Sequence, residues 1–153
     1  MNATPITQIS EHVAVLRKTF NADKTRPLAT RKKILLQLKS LLTEGEEQLT
    51  SALHKDLHKN PVETFLMEIN VILTEIQDHL DYLEDWAAPE KVATNLINIP
   101  GHSTIRSDPL GVCCIISTWN YPIHVTLMPL VGCISAGNCA LIRLPPDGTA
   151  DND

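Results

Sequence analysis

None of the four cysteines is spaced as Cys-x-x-Cys, and none lies before residue 113. A disulfide framework spreads its thiols through a short secreted chain, and a zinc site needs close ligand pairs, so neither is expected. Reduced thiols inside apolar runs are the reading that remains. Basic excess is missing too. Lys and Arg number 13 against 18 Asp and Glu, a net charge of −5 with pI ≈ 5.6. That balance argues against a nucleic-acid binder with a basic surface. The start, Met1-Asn2-Ala3-Thr4-Pro5, has no basic segment and no apolar one, so no secretory signal is expected. The composition of a disordered chain is also absent, since 43% of the residues are hydrophobic.

Charge itself vanishes over one stretch. From Pro109 to Ile142 there is no Asp, Glu, Lys or Arg, whereas twelve of the 13 basic residues precede Asp108. The first part therefore reads as solvent-facing amphipathic elements and the second as elements buried on most sides. The 153 residues suffice for one domain or most of one. Enzymes that join a doubly wound cofactor domain to a separate catalytic domain need roughly 300 residues or more. Motifs of that kind would make this chain a piece.

Helical periodicity governs the first part. Ile6, Ile9, Val13, Leu16 and Phe20 repeat in steps of three and four, with Thr4 as N-cap and Pro5 at the first helical position. A second helix carries Ile34, Leu35, Leu38, Leu41 and Leu42 and stops near Gly45. Thr43-Glu44-Gly45-Glu46 fits a capping box for a third, bearing Leu49, Leu53 and Leu57. Asn60-Pro61 caps a fourth, whose apolar stripe runs from Val62 to Leu83 and which ends near Trp86, before Pro89. Its roughly 25 residues would span about 38 Å. Glu84, Asp85 and Glu90 read as a solvated helix end.

Periodicity then changes. Ile97 and Ile99 alternate with Asn98, Pro100-Gly101 marks a turn, and Ser103-Thr104-Ile105-Arg106 is extended in character, so short strands are expected near 97–107. Val112 to Ile116 is a compact β-rich run. An apolar helix from Ile123 to Ala136 follows, then Gly137-Asn138 as its stop, then Cys139-Ala140-Leu141-Ile142. Strand, crossover helix and strand without charge is the pattern of a βαβ unit in a parallel sheet. A membrane-associated helical protein is the weakest alternative, because Trp119-Asn120-Tyr121-Pro122, Pro129 and Gly137-Asn138 cut the run below the roughly 20 residues of a spanning helix.

Here the residues resemble a family. Asp108-Pro109-Leu110-Gly111-Val112, leading through Ile115-Ile116-Ser117-Thr118 into Trp119-Asn120-Tyr121-Pro122, is similar to the start of the cofactor domain of aldehyde dehydrogenases. Pro129-Leu130-Val131-Gly132 and Ala136-Gly137-Asn138 continue the likeness at the family's spacing. Thr25-Arg26-Pro27-Leu28, Ala52 to Asn60, Glu68-Ile69 and Trp86-Ala87 resemble the class 3 branch, which holds the dimeric and fatty-aldehyde enzymes. The likeness runs over residues 6–143. The implied fold is α/β: N-terminal helices over 1–95, short bridging strands over 96–108, the first βαβ of a Rossmann-like NAD(P)-binding domain over 109–143, and a disordered tail over 144–153.

The resemblance implies oxidation of aldehydes to carboxylic acids with NAD or NADP, through a cysteine thiohemiacetal and a glutamate general base. It makes Asn120 the side-chain amide that holds the oxyanion, an uncharged donor that does not titrate. It sets Ile116, Ser117, Thr118 and Trp119 along the cofactor, where loops at the carboxyl ends of parallel strands bind nucleotides. Tyr121 matches a position lining the aldehyde tunnel. Turn-shaping by Asn120, and core packing by Trp119 or Tyr121, are the structural alternatives. Arg143 replaces a lysine that holds the adenosine ribose; it keeps the charge with a different reach. The glutamate that follows in the family has no counterpart in Leu144-Pro145-Pro146-Asp147.

None of Cys113, Cys114, Cys133 and Cys139 is expected to act as nucleophile, since buried strand thiols lack access and a lowered pKa. His54 and His58 lie four apart on an expected helix without a third ligand, so no metal site is expected. His124 has no nameable partner. The chain thus reads as a truncated family member, cytoplasmic, with any membrane anchor outside it. It is expected to form a homodimer, and the alternative is a non-catalytic isoform that associates with full-length subunits. With only two strands of a parallel sheet, one face and both edges are expected to be open.

Overall fold

Asn60 shows how local sequence starts an element in the computed structural model, which describes residues 5–145. Its side-chain oxygen accepts from the Val62 N–H at 2.9 Å, and Pro61 fills the first helical position, as expected. Among the described residues six α-helices and four strands follow one another: α1 Ile6–Asn21, α2 Leu28–Glu44, α3 Glu46–Leu57, α4 Pro61–Thr64, α5 Asn70–Ala87, β1 Glu90–Val92, β2 Ser103–Ile105, β3 Val112–Ile116, α6 Pro122–Ser135 and β4 Cys139–Arg143. The long fourth helix is not uniform. A π-helical turn, Phe65–Ile69, joins α4 to α5.

Three further expectations change. The proposed box at Thr43 does not form: the Thr43 hydroxyl donates back to the Lys39 carbonyl at 3.0 Å, and α2 continues to Glu44. Gly45 alone then joins α2 to α3; a Cβ there would lie 2.8 Å from the Leu41 carbonyl oxygen. At the N-terminus Pro5 is itself the N-cap, and Thr4 lies outside the described residues. Ile97 and Ile99 are not in a strand. Leu96–Asn98 is a 3-10 turn whose start is capped by the Asn95 side chain, and it is Glu90–Val92 that pairs antiparallel with Ser103–Ile105. Glu90 is therefore a strand residue, whereas Glu84 lies in α5 and bonds to Lys32 at 2.8 Å. An alternating run of two isoleucines carries no information about which neighbour exists to pair with.

The apolar stripes of α2, α5 and α6 meet in one core of Leu35, Leu42, Ile72, Ile76 and Val131. Each such side chain contributes on the order of 1.5–3 kcal/mol when fully removed from water. By contrast, α1 buries none of its residues completely, and Ile6 is 82% exposed. It lies against β3 and β4, with Val13, Leu16 and Phe20 half-buried. The expected parallel pair is present, running in register from Val112↔Cys139 to Ile116↔Arg143. Both α1 and α6 pack on these strands, so the sheet has more helical cover than the sequence suggested.

The turn from α6 into β4 is held from several sides. Gly137 adopts φ +83 and ends the helix, and the Asn138 N–H reaches the Cys133 carbonyl at 3.0 Å. The Asn138 side-chain oxygen accepts from the Gly111 N–H at 2.8 Å, which aligns the start of β3 with that of β4. Thr25 donates to the Gly137 carbonyl at 2.7 Å, and the Arg31 guanidinium donates to the carbonyls of Ser135 at 3.0 Å and Thr25 at 3.2 Å. No helix among the described residues is long and apolar enough to cross a membrane. The tail from residue 146 lies outside the described residues.

Candidate functional site

The parallel register brings Ile116 and Arg143 side by side at the carboxyl ends of β3 and β4, and the Ser117 N–H extends the ladder to the Arg143 carbonyl at 2.9 Å. Beyond this point the chain leaves β3, turns through Thr118, Trp119 and Asn120, and enters α6 at Pro122. Ser117 points inward and is buried beside the Thr126 hydroxyl at 2.5 Å, which anchors the loop to the helix that follows it. Ile116 and Trp119 face outward instead, 63% and 66% exposed. Trp119 is therefore not a core aromatic. Arg143 is exposed at the same end.

Asn120 is exposed, and its amide has a defined direction. The Thr118 hydroxyl donates to Asn120 Oδ1 at 2.7 Å, so the oxygen is occupied and the NH2 group is the end that remains available as donor. Tyr121 is half-buried, and its ring lies beneath the Lys59 ammonium, 3.7 Å from the ring centroid. Lys59 in turn pairs with Glu68, a fully buried carboxylate whose Oε2 accepts from the Ile123 N–H at 2.9 Å. His124, for which the sequence suggested no partner, places Nδ1 3.0 Å from the Met67 carbonyl oxygen.

Three residues at or behind this loop escaped sequence reasoning as site residues, Lys59, Glu68 and Thr126, and so did Arg31 at the α6–β4 turn. Glu68 had a signal. It falls three positions after Phe65 and four before Ile72, inside the apolar stripe, where an acid needs a buried partner. The others had none: nothing in the spacing shows that Lys59 lies over Tyr121, that Thr126 bonds to Ser117, or that Arg31 reaches the Ser135 carbonyl 104 residues away.

The cysteines divide by exposure. Burial, with Cys113 and Cys139 nearby, pushes the Cys133 thiol up to about 12, and burial also raises Cys139. Cys114 departs from expectation: it is exposed, because its strand face is not fully covered. His58 is not on a helix but caps α3 with φ 53, its ring nitrogen 3.1 Å from the His54 carbonyl, and His54 Nδ1 sits 3.1 Å from the Lys59 carbonyl.

A parallel strand pair crossed by a helix, with a loop and a cation at its carboxyl ends, is the form in which open α/β sheets take nucleotides. The sequence profile described as "Aldehyde dehydrogenase family" matches residues 2–150, and the chain belongs to that family. It is 41% identical over 140 residues to aldehyde dehydrogenase family 3 comG of Dictyostelium discoideum, covering 92% of this chain and 29% of the relative. It is 42% identical over 138 residues to the dimeric NADP-preferring aldehyde dehydrogenase of Canis lupus familiaris, covering 90% and 30%. The chain spans about 30% of the length of these relatives. Among solved structures, the substrate-bound AldH of Staphylococcus aureus superposes with TM-score 0.85 at 33% identity, over 93% of this chain and 30% of that one. A structure of Gox0499 shares the fold at TM-score 0.84 and 20% identity, over 97% and 31%. The likeness is to the N-terminal part of the aldehyde dehydrogenase fold, an incomplete domain.

Proposed function

We propose that this chain carries the oxyanion donor and one wall of the cofactor site of an NAD(P)-dependent aldehyde dehydrogenase. The carrying observation is the Asn120 amide, locked at its oxygen by Thr118 and free at its NH2, beside the carboxyl ends of two parallel strands. An amide held this way donates to the oxygen of an aldehyde as negative charge develops on it, and it does so without titrating. Preorganisation matters because the donor does not have to reorient when charge forms.

The residues present fit a dinucleotide. Exposed Ile116 and Trp119 offer an apolar surface, the Thr118 hydroxyl lies between them along the loop, and Arg143 supplies a cation at the same end. Ser117 acts from beneath, through the ladder bond that fixes the loop's departure from β3. When bound, NAD(P)+ supplies the acceptor for the hydride of the substrate. Tyr121 gives the aldehyde side an aromatic wall whose other face is covered by Lys59. The nucleophile is none of the four cysteines. Burial holds the Cys133 thiol at about 12 and raises that of Cys139 as well, the opposite of what a nucleophile needs. The compartment proposed is the cytoplasm and the assembly a homodimer. The exposed Cys114-bearing strand and the open edge of β4 favour association with another subunit.

The test is a titration of the Trp86→Phe chain with NAD+ and NADP+, read by the fluorescence of Trp119. Saturable quenching that weakens in Arg143→Ala is expected, and an unresponsive Trp119 overturns the cofactor reading. In a dehydrogenase that contains this chain, Asn120→Ala is expected to lower kcat by about 10²–10³-fold. The 153 residues alone are expected not to oxidise aldehydes. NAD(P)-dependent turnover by the purified chain, abolished by Asn120→Ala, refutes the assignment of the nucleophile elsewhere.

A further inference from the structure

Glu68 is 0% exposed, and its two oxygens do separate work. Oε2 accepts from the backbone N–H of Ile123 at 2.9 Å and from that of His124 at 3.4 Å. Both belong to the first turn of α6, where no helical carbonyl is available to them. A carboxylate at this end is also favoured by the helix dipole. Oε1 takes the Lys59 ammonium, which lies over the face of Tyr121. The carboxylate comes from the π-helical turn Phe65–Ile69, and the Met67 carbonyl from the same turn faces His124 Nδ1. π-Turns within α-helices occur frequently at functional sites.

The geometry points to Glu68, with Lys59 as its counter-ion, as a positioning residue for the loop Asn120-Tyr121. One anion holds the helix that begins immediately after the loop, and its cation holds the ring within it. A buried unpaired carboxylate is strongly unfavourable, so the three donors and the acid require one another. The inference rests on the reading of Asn120 as the oxyanion donor and adds what keeps that donor aimed. Aim matters: a misplacement of about 1 Å can lower a rate about 10²-fold.

The two oxygens can be separated by substitution. In Glu68→Gln the amide oxygen can still accept from Ile123 and His124, but its NH2 opposes the Lys59 ammonium. NMR of the full chain is expected to show unchanged hydrogen-exchange protection at Ile123 and His124. The Tyr121 ring and the Asn120 side-chain NH2, identified by its loss in Asn120→Asp, are expected to shift. In Glu68→Ala, protection at Ile123 and His124 is expected to fall about tenfold, the factor that accompanies loss of ~1.4 kcal/mol. Folded Glu68→Gln with Tyr121 and Asn120 resonances unmoved overturns the proposal, and decides it even if Glu68→Ala does not fold. Uniform loss of protection across the chain in place of the local pattern also overturns it. The cofactor titration separates the two readings. Movement of Asn120 with Trp119 unresponsive to NAD+ and NADP+ upholds the positioning role and removes the cofactor wall. A responsive Trp119 with Asn120 unmoved removes the positioning role alone.

Discussion

Replacing Arg31 by methionine removes a guanidinium that ties the start of α2 to the segment just before it and to the distant end of α6, while keeping an apolar stem of similar length. Two hydrogen bonds disappear, to the Ser135 carbonyl at the end of α6 and to the Thr25 carbonyl before α2. Burial, with Arg26 and Arg106 nearby, lowers the Arg31 pKa, yet a guanidinium stays charged at neutral pH. Bonds from a charged donor are worth about 1.5–3 kcal/mol each. Arg31 is only part-buried, so the lower end applies, and the pair is worth about 3 kcal/mol. The Ser135 carbonyl also loses a cation at the negative end of a helix, where such charges are favourable. Urea unfolding is expected to show a loss of about 3 kcal/mol with an unchanged m-value, and thermal melting a fall of about 6–12 °C. Lysine at position 31 is expected to restore less than half, because a single ammonium cannot reproduce the planar fork. A loss below about 0.5 kcal/mol, the level of a neutral surface change, would refute the idea that this residue fastens the α6–β4 turn.

Ile72→Ala, in the centre of the α2–α5–α6 core, is expected to destabilise the chain by about 2–5 kcal/mol, read by the same urea titration; a cost below about 1 kcal/mol would mean that the core collapses around the cavity. Cys133 titrates near 12 in the folded chain, against about 8.5 unfolded. The unfolded state therefore releases its proton first, so this thiol's contribution to stability is fully present below about pH 8.5 and declines as pH rises from there toward 12. Denaturation curves at pH 8 and pH 10 in wild type and Cys133→Ala check this: the wild type should lose more on raising pH. With strand edges unpaired and Ile116 63% exposed, the isolated chain is expected to associate or aggregate. A monodisperse monomer in sedimentation that melts cooperatively above about 55 °C would overturn that expectation.

The sequence by itself determined the order and kind of most elements, because periodicity and capping are local. The three-and-four spacing of Ile72, Ile76, Leu80 and Leu83 can bury one face only as a helix, and Asn60-Pro61 starts it where the residues say. The uncharged strand–helix–strand run and Trp119-Asn120-Tyr121-Pro122 likewise led to the parallel pair and to the loop at its carboxyl ends. Tertiary structure alone decided the rest. Ile97 and Ile99 alternate like a strand but form a turn, since β2 pairs instead with Glu90–Val92. Thr43 had cap chemistry, yet the end of α2 used its hydroxyl first. Glu68 and Arg31 became supports of the loop and of the α6–β4 turn only when partners 55 and 104 residues away came within hydrogen-bond reach. A hydrogen bond needs distance and direction, and for groups remote along the chain both are properties of the folded packing, not of spacing in the sequence.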